Sequence, residues 1–284
     1  MKLEILGSSG AVTIPRPSCS CRVCVEARAK GPPYARTGPS YFVHGPNVLI
    51  DTPEESNVQL NRAGIGEIAG CFYSHFHPDH TMGRRVFETR NVDWRGWPPE
   101  AKEQLSTTVY LPQQVAADAR RYLALAEHLQ FMEAQGTVRV VELADGETVD
   151  LGGWSFQPFR LAEDYVYAFL IERNGARVLL APDETNGWEP PDALRGVDLA
   201  VIPMGLCEFD PLTGERRIHP EHPMLAAEAT FVETLGIVEE LAARRTVLSH
   251  VEEMDGLSHD DLLEVARRHG GRFEFAYDGM VLDA

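Results

Sequence analysis

The chain has 284 residues, 44% hydrophobic and 24% charged, values of an ordinary folded protein that exclude a disordered or collagen-like chain. Lys and Arg number 26 against 43 Asp and Glu, a formal charge of −17, which disfavours a basic protein that tracks a nucleic-acid backbone. No stretch approaches about 20 consecutive apolar residues, and the opening Met1-Lys2-Leu3-Glu4-Ile5-Leu6-Gly7 is too short an apolar run for a signal-peptide core. The expectation is a cytoplasmic protein with no membrane contact.

Short β-like runs bounded by Gly, Pro or Asp come first, at 3–6, 41–43, 47–50 and 70–73. After a strand at 107–111, helical spacing of apolar positions without Gly or Pro predicts one helix across 113–135. A second β-rich block, 138–143, 148–151, 154–160, 166–172 and 177–181, is punctuated by Asp-Gly, Gly-Gly and Asn-Gly turn signals and reads as successive hairpins. Then come a strand at 199–203, a long helix over 223–244, a strand at 246–249, a helix over 259–269 and a last strand near 273–277. The β-rich then helical order occurs twice, without a low-complexity linker. It predicts one domain over 1–284, α/β in class, with two packed sheets and helices outside.

Five cysteines are too few and too odd in number for a disulfide scaffold. Three of them crowd into Cys19-Ser20-Cys21-Arg22-Val23-Cys24, where metal binding is the better reading. Cys71 and Cys207 read as isolated core cysteines. The sharpest signal is Ser74-His75-Phe76-His77-Pro78-Asp79-His80, directly after the strand at 70–73. A strand ending in a tight loop can aim His75 and His77 at one ion while Asp79 and His80 reach a second position a few ångström away.

The pattern His75-x-His77-x-Asp79-His80 resembles the signature of the metallo-β-lactamase fold hydrolases. That resemblance covers nearly the whole chain. It implies a four-layer αββα sandwich with two divalent metal ions, zinc or manganese, at one edge of the sheets. Asp183, after the strand at 177–181, matches the carboxylate that bridges both metals, and His250, after 246–249, matches the late histidine. The metal set it implies is therefore His75, His77, Asp79, His80, Asp183 and His250.

One departure stands out: the third histidine of the first metal is missing. Its place falls at Ala162, with Glu163 and Asp164 adjacent as substitute carboxylate ligands that would suit a harder ion; an exposed acidic pair in a hairpin turn is the alternative. The N-terminal Gly7-Ser8-Ser9-Gly10-Ala11-Val12-Thr13-Ile14-Pro15, followed by the three cysteines, is similar to the start of the phosphonate-pathway phosphodiesterases that open cyclic ribose phosphates, and of the B proteins of pyrroloquinoline quinone biosynthesis. In the former the cysteines hold a structural zinc with a histidine. Here Glu253 stands at that histidine's position, with Glu252 beside it, so the implied structural zinc set is Cys19, Cys21, Cys24 and Glu253 or Glu252.

By the same resemblance His222, just before Pro223 and the helix start, fits a general acid facing the leaving group. Asp51, at the end of a buried-type strand, is expected to fix the ring of a ligating histidine. Arg84 and Arg85 could bring charge to an anionic substrate or form a solvated helix face. The segment around 87–135, including 91–99, reads as a lid-like insertion, and about 15–36 as a Cys-rich loop. Together these features imply a metal-dependent hydrolase of phosphodiester or cyclic-phosphate bonds, using a hydroxide held between two cations, with Asp79 and His222 in catalysis and a small anionic phosphate ester as substrate. Nucleic acid is disfavoured as a partner, and a homodimer is compatible with the sequence. The competing readings are a cofactor-biosynthesis protein, a lactone or thioester hydrolase on the same fold, and a non-catalytic metal-binding protein.

Overall fold

The computed structural model describes residues 1–92 and 105–284. Among the described residues, fourteen strands form two sheets of seven. Sheet one holds β1 (Lys2–Gly7), β2 (Ser40–His44), β3 (Val48–Ile50), β4 (Gly70–Phe72), β5 (Thr107–Pro112), β6 (Val138–Leu143) and β14 (Met280–Asp283), in the order β14-β1-β2-β3-β4-β5-β6. Sheet two holds β7 (Val149–Asp150), β8 (Ser155–Arg160), β9 (Tyr167–Arg173), β10 (Ala176–Leu180), β11 (Leu199–Pro203), β12 (Thr246–Ser249) and β13 (Glu274–Phe275), in the order β13-β12-β11-β10-β9-β8-β7. Each sheet has an antiparallel half joined to a parallel half, with β3, β4, β5 and β6 parallel in one and β10, β11, β12 and β13 in the other.

The alternation of strand side chains builds the layers. Ile5, Tyr41, Val43, Val48, Ile50 and Phe72 of sheet one face Phe156, Phe169, Ile171, Val178, Leu180 and Val201 of sheet two in a shared core. The intervening residues point outward. Leu49, Cys71 and Val109 meet α2 (Ser56–Ala63), α4 (Val86–Asn91), α5 (Gln113–Ala119) and α6 (Leu125–Ala134). Leu179, Ala200, Ile202 and Leu248 meet α8 (Phe231–Leu241) and α9 (His259–Arg268). This is the expected αββα sandwich, with Cys71 and Cys207 both buried in it.

Three elements differ from the sequence reading. The helix expected over 113–135 is two, α5 and α6, because Leu123 and Ala124 adopt left-handed backbone between them. The helix expected over 223–244 breaks into α7 (Met224–Ala227) and α8, where Thr230 and Glu233 form a reciprocal capping box that starts a new helix. The Cys-rich loop contains α1 (Arg22–Lys30), capped by Cys21, whose sulfur accepts the Cys24 N–H. Residues 93–104, the centre of the expected lid, lie outside the described residues. Its C-terminal flank is no lid: β5 is an interior strand, and α5 and α6 pack on its sheet.

Phe72 is fully buried and stacks between Tyr110 and Phe156, at centroid distances of 4.6 and 5.3 Å. Phe72→Ala is expected to lower unfolding free energy by about 3–5 kcal/mol in chemical denaturation. Val232→Ala, at a 69% exposed position of α8, should change it by less than about 0.5 kcal/mol.

Candidate metal centre

Parallel strands end at a common edge, and the loops leaving that edge gather the candidate ligands. Asp51 follows β3, His75 and His77 follow β4, Asp183 follows β10 and His250 follows β12. Pro78 opens the short helix α3 (Pro78–Thr81), which carries Asp79 and His80. The loop is held by Asp51, whose carboxylate accepts from the Ser74 N–H at 2.8 Å and the Ser74 hydroxyl at 2.6 Å, and lies 2.8 Å from His80 Nδ1. Ser74 Oγ is in turn 3.1 Å from His75 Nδ1. Asp51 and His250 both have left-handed backbone, φ 62 and 53, a conformation that costs about 1–3 kcal/mol and persists only where surrounding contacts impose it.

Two triads form, each with its donor atoms within 4.8 Å of one another: His75, His77 and Asp183, and Asp79, His80 and His250. Asp183 stands between them, with Oδ2 at 3.3 Å from His75 Nε2 and 3.5 Å from His80 Nε2, and Oδ1 at 3.3 Å from His250 Nε2. His75, His80 and His250 all present a buried Nε2 that has no hydrogen-bond partner among the described residues. An unpaired buried donor or acceptor costs about 1–3 kcal/mol, so three converging on two carboxylates make a donor set that fits divalent cations.

The titration of the centre points the same way. Burial opposes charge on His80 and His250, yet Asp79 and Asp51 drive His80 well above the usual imidazole value, and Asp183 and Asp79 lift His250 to about 9. Burial would also raise Asp79 and Asp183, but His80 holds Asp79 down, and His250 and His75 hold Asp183 well below the carboxylate range. His77 is pushed down to about 4 by burial and by His75. Protons on His80 and His250 thus supply positive charge that the buried carboxylates demand.

Other expected residues are not drawn in. Ala162 is exposed, Asp164 is exposed, and Glu163 joins neither triad; the chain turns there between β8 and β9, with the Glu163 and Asp164 carbonyls accepting from Val166 N–H and Arg160. Tyr165, which the motif reading passed over, lies instead beside the rings of His75 and His77, at 6.0 and 5.5 Å. Burial and then Asp183 raise its phenol to about 12. His222 is exposed, with Nδ1 accepting from the Met224 N–H, and no described contact joins it to the triads. Arg84 is buried and donates to the Thr81 and Leu123 carbonyls, while Arg85 pairs with Glu88. Glu184, next to Asp183, faces Glu228, and burial followed by that second carboxylate raises it to about 9. Neither glutamate carries a local motif that could have flagged it.

The second cluster gathers Cys19, Cys21, Cys24 and Glu253. Glu253 Oε1 lies 3.4, 3.2 and 3.2 Å from the three sulfurs. Backbone N–H groups of Cys21, Cys24 and Arg16 donate to Cys19, Cys21 and Cys24 sulfurs respectively; the bond from Cys21 N–H lowers the Cys19 thiol, while burial pushes Cys24 up to about 12. Three thiolates and one carboxylate suit a closed tetrahedral zinc site. Glu253, not Glu252, is the carboxylate that the backbone turns toward the cysteines.

Since metal must displace any proton on His80 and His250, uptake at Asp79, His80 and His250 should release protons and weaken as pH falls through the raised His250 value of about 9. Titration calorimetry in buffers of different ionisation enthalpy checks this; uptake with no proton release would contradict it. Cys21→Ser is expected to remove one zinc per chain and lower the melting temperature while leaving turnover per intact paired centre within about threefold. An unchanged melting curve would argue against a stabilising zinc.

Residues 45–251 match the Beta-lactamase superfamily domain. Ribonuclease Z of Myxococcus xanthus is 25% identical over 302 aligned positions, covering 87% of this chain and 91% of the relative. Among solved structures, a diphosphatase of the PhnP family superposes with TM-score 0.72 and 23% identity over 100% of this chain and 97% of its own. Zinc-bound PqqB from Methylobacterium extorquens superposes with TM-score 0.75 and 18% identity over the full length of both. Among the described residues no helix is long and apolar enough to cross a membrane. With the family match spanning most of the chain and the αββα sandwich intact, this protein belongs to the β-lactamase superfamily.

Proposed function

We propose that the chain is a metal-dependent hydrolase of phosphodiester or cyclic-phosphate bonds that works with two divalent cations, zinc or manganese, beside a structural zinc at the cysteines. The carrying observation is the convergence of three unpaired buried imidazole nitrogens on Asp79 and Asp183. The Ribonuclease Z relative and the diphosphatase neighbour support the bond class.

His75, His77 and Asp183 would hold one cation, and Asp79, His80 and His250 the other, with Asp183 shared. When bound, such a pair lowers the pKa of water and neutralises charge that develops on phosphate oxygens. The protein's part is to hold the donors fixed around one point. Asp51 and Ser74 fix the rings of His80 and His75 from behind. The missing third histidine leaves the first triad with three protein donors, so a position stays open for water or substrate. Tyr165 keeps its phenol proton up to about 12 and can donate a hydrogen bond to a phosphate oxygen or a leaving alkoxide beside His75 and His77. His222 is an acid on resemblance alone, and needs its exposed turn to approach the centre. The overall charge of −17 favours a small anionic ester, steered by the cations, over a long polyanion.

Elemental analysis of the purified wild type beside Asp183→Ala tests the reading. About three ions per chain, falling to about one in the variant together with loss of at least about 1000-fold in hydrolysis of bis(p-nitrophenyl) phosphate, is the expected outcome. One ion in both proteins would move the non-catalytic metal-binding reading ahead. Normal hydrolysis by the variant would remove Asp183 from the centre. Parallel assays on a cyclic ribose phosphate and on an RNA substrate then separate the small-ester reading from a ribonuclease one.

A further inference from the structure

The N-terminal segment Ser8 to Val12 runs beside the strand end that carries His250. The Gly10 N–H donates to the Val251 carbonyl at 3.0 Å, and the Val251 N–H to the Ser8 carbonyl at 3.0 Å. Glu252 closes this junction: Oε1 accepts the Ala11 N–H at 2.8 Å and Oε2 the Val12 N–H at 3.4 Å, while Oε1 also stands 3.6 Å from His250 Nδ1. Gly10 is the complement of that carboxylate. A Cβ there would lie 1.9 Å from Glu252 Oε1 and 2.9 Å from His250 Nδ1. Its backbone is not in the left-handed region, so the need for glycine is one of space.

We infer that Glu252 is a positioning residue for the metal centre, holding the His250 ring so that Nε2 faces Asp79 and Asp183, and that Gly10 is glycine in order to admit its carboxylate. The inference rests on the metal-hydrolase reading. It extends a pattern in which Ser74 Oγ lies 3.1 Å from His75 Nδ1 and Asp51 lies 2.8 Å from His80 Nδ1, with Glu252 at the longer distance of 3.6 Å from His250 Nδ1. From that distance the negative carboxylate acts on the ring through space, favouring the orientation and tautomer that leave Nε2 free. The Glu252 side chain, bonded to Ala11 and Val12, ties the ring to the N-terminal segment. The next residue, Glu253, turns to the cysteine cluster.

The test is titration of Mn²⁺ into metal-stripped full-length protein, read as free Mn²⁺ by electron paramagnetic resonance. A thiolate cluster competes poorly for this hard ion. Wild type should take up two ions at the paired triads. Glu252→Gln, isosteric and still able to accept the Ala11 N–H, should weaken one of the two ions by about 10- to 100-fold, leave the other within about threefold, and keep the metal-free melting temperature within about 2 °C. Gly10→Ala should lose the same single ion, and the double variant no more than the worse of the two, because both break one contact.

Wild-type affinity for both ions in Glu252→Gln overturns the inference while leaving the hydrolase reading in place. Equal loss of both ions with a fallen metal-free melting temperature also overturns it, since Glu252 would then be a prop for the fold alone. A wild type that binds no Mn²⁺ at the triads overturns the hydrolase reading and this inference together.

Discussion

Asp183 is a carboxylate in a nearly closed space, with three imidazole nitrogens within 3.5 Å and no backbone cage of its own. Among the described residues its one close backbone donor is the N–H of Glu184, at 2.7 Å. Such a group is stable only if positive charge is delivered to it, and much of the surrounding structure serves that need. Asp79 and Asp51 raise the proton affinity of His80, and Asp183 and Asp79 that of His250, against the effect of burial. Asp51 holds His80, Ser74 meets both Asp51 and His75, and the chain accepts left-handed backbone at Asp51 and His250. Gly83 shows how tightly the loop is packed, since a Cβ there would lie 1.8 Å from the Pro53 carbonyl oxygen. That approach lets the Gly83 N–H reach the Thr52 carbonyl and the Thr52 N–H the His80 carbonyl, clamping the second triad to the end of β3.

The scaffold meets this demand through its repetition. Each sheet contributes a parallel half whose strands end at the same edge, and the two inner faces share one core, so loops from β4 and from β10 and β12 face one another across the sandwich. The Tyr41 hydroxyl reaches Ser249 Oγ at 3.1 Å, and the Tyr167 N–H donates to the Ser74 carbonyl at 3.0 Å. These bonds tie ligand loops of one sheet to strands of the other. A rigid edge of this kind is what two ions a few ångström apart require, because their separation is set by the protein and not by flexible side chains.

The segment from His250 to Asp255 connects regions that look separate in the chain. His250 faces the paired triads, Glu252 the N-terminal segment, Glu253 the cysteine cluster, and Asp255 accepts the Cys207 N–H at the base of the loop that carries His219 and His222. An ion at the cysteine cluster would therefore anchor the same short stretch that presents His250. An ion held at the cysteines would in this way limit how far the paired triads loosen.

Local features could be read from the chain. The His75–His80 pattern sits in one loop, so spacing alone showed its chemistry, and alternation of apolar residues marked the strands. The absence of a histidine near Ala162 was equally visible. Only the folded chain decided what distance in sequence hides. Asp183 and His250 reach one point because β10 and β12 run parallel with β11 in register. Tyr165 comes to the first triad because the β8–β9 turn directs it there, while Glu163 and Asp164 stay outside. Glu253 and not Glu252 meets the cysteines because the backbone turns between them. Helix breaks at 120–124 and 228–230 escaped a periodicity reading because left-handed backbone and a capping box interrupt the chain without disturbing its apolar spacing. Residue types and their local spacing determine which groups can bind a cation; which of them share one is set by strand register and loop direction, and these depend on packing across the whole sandwich.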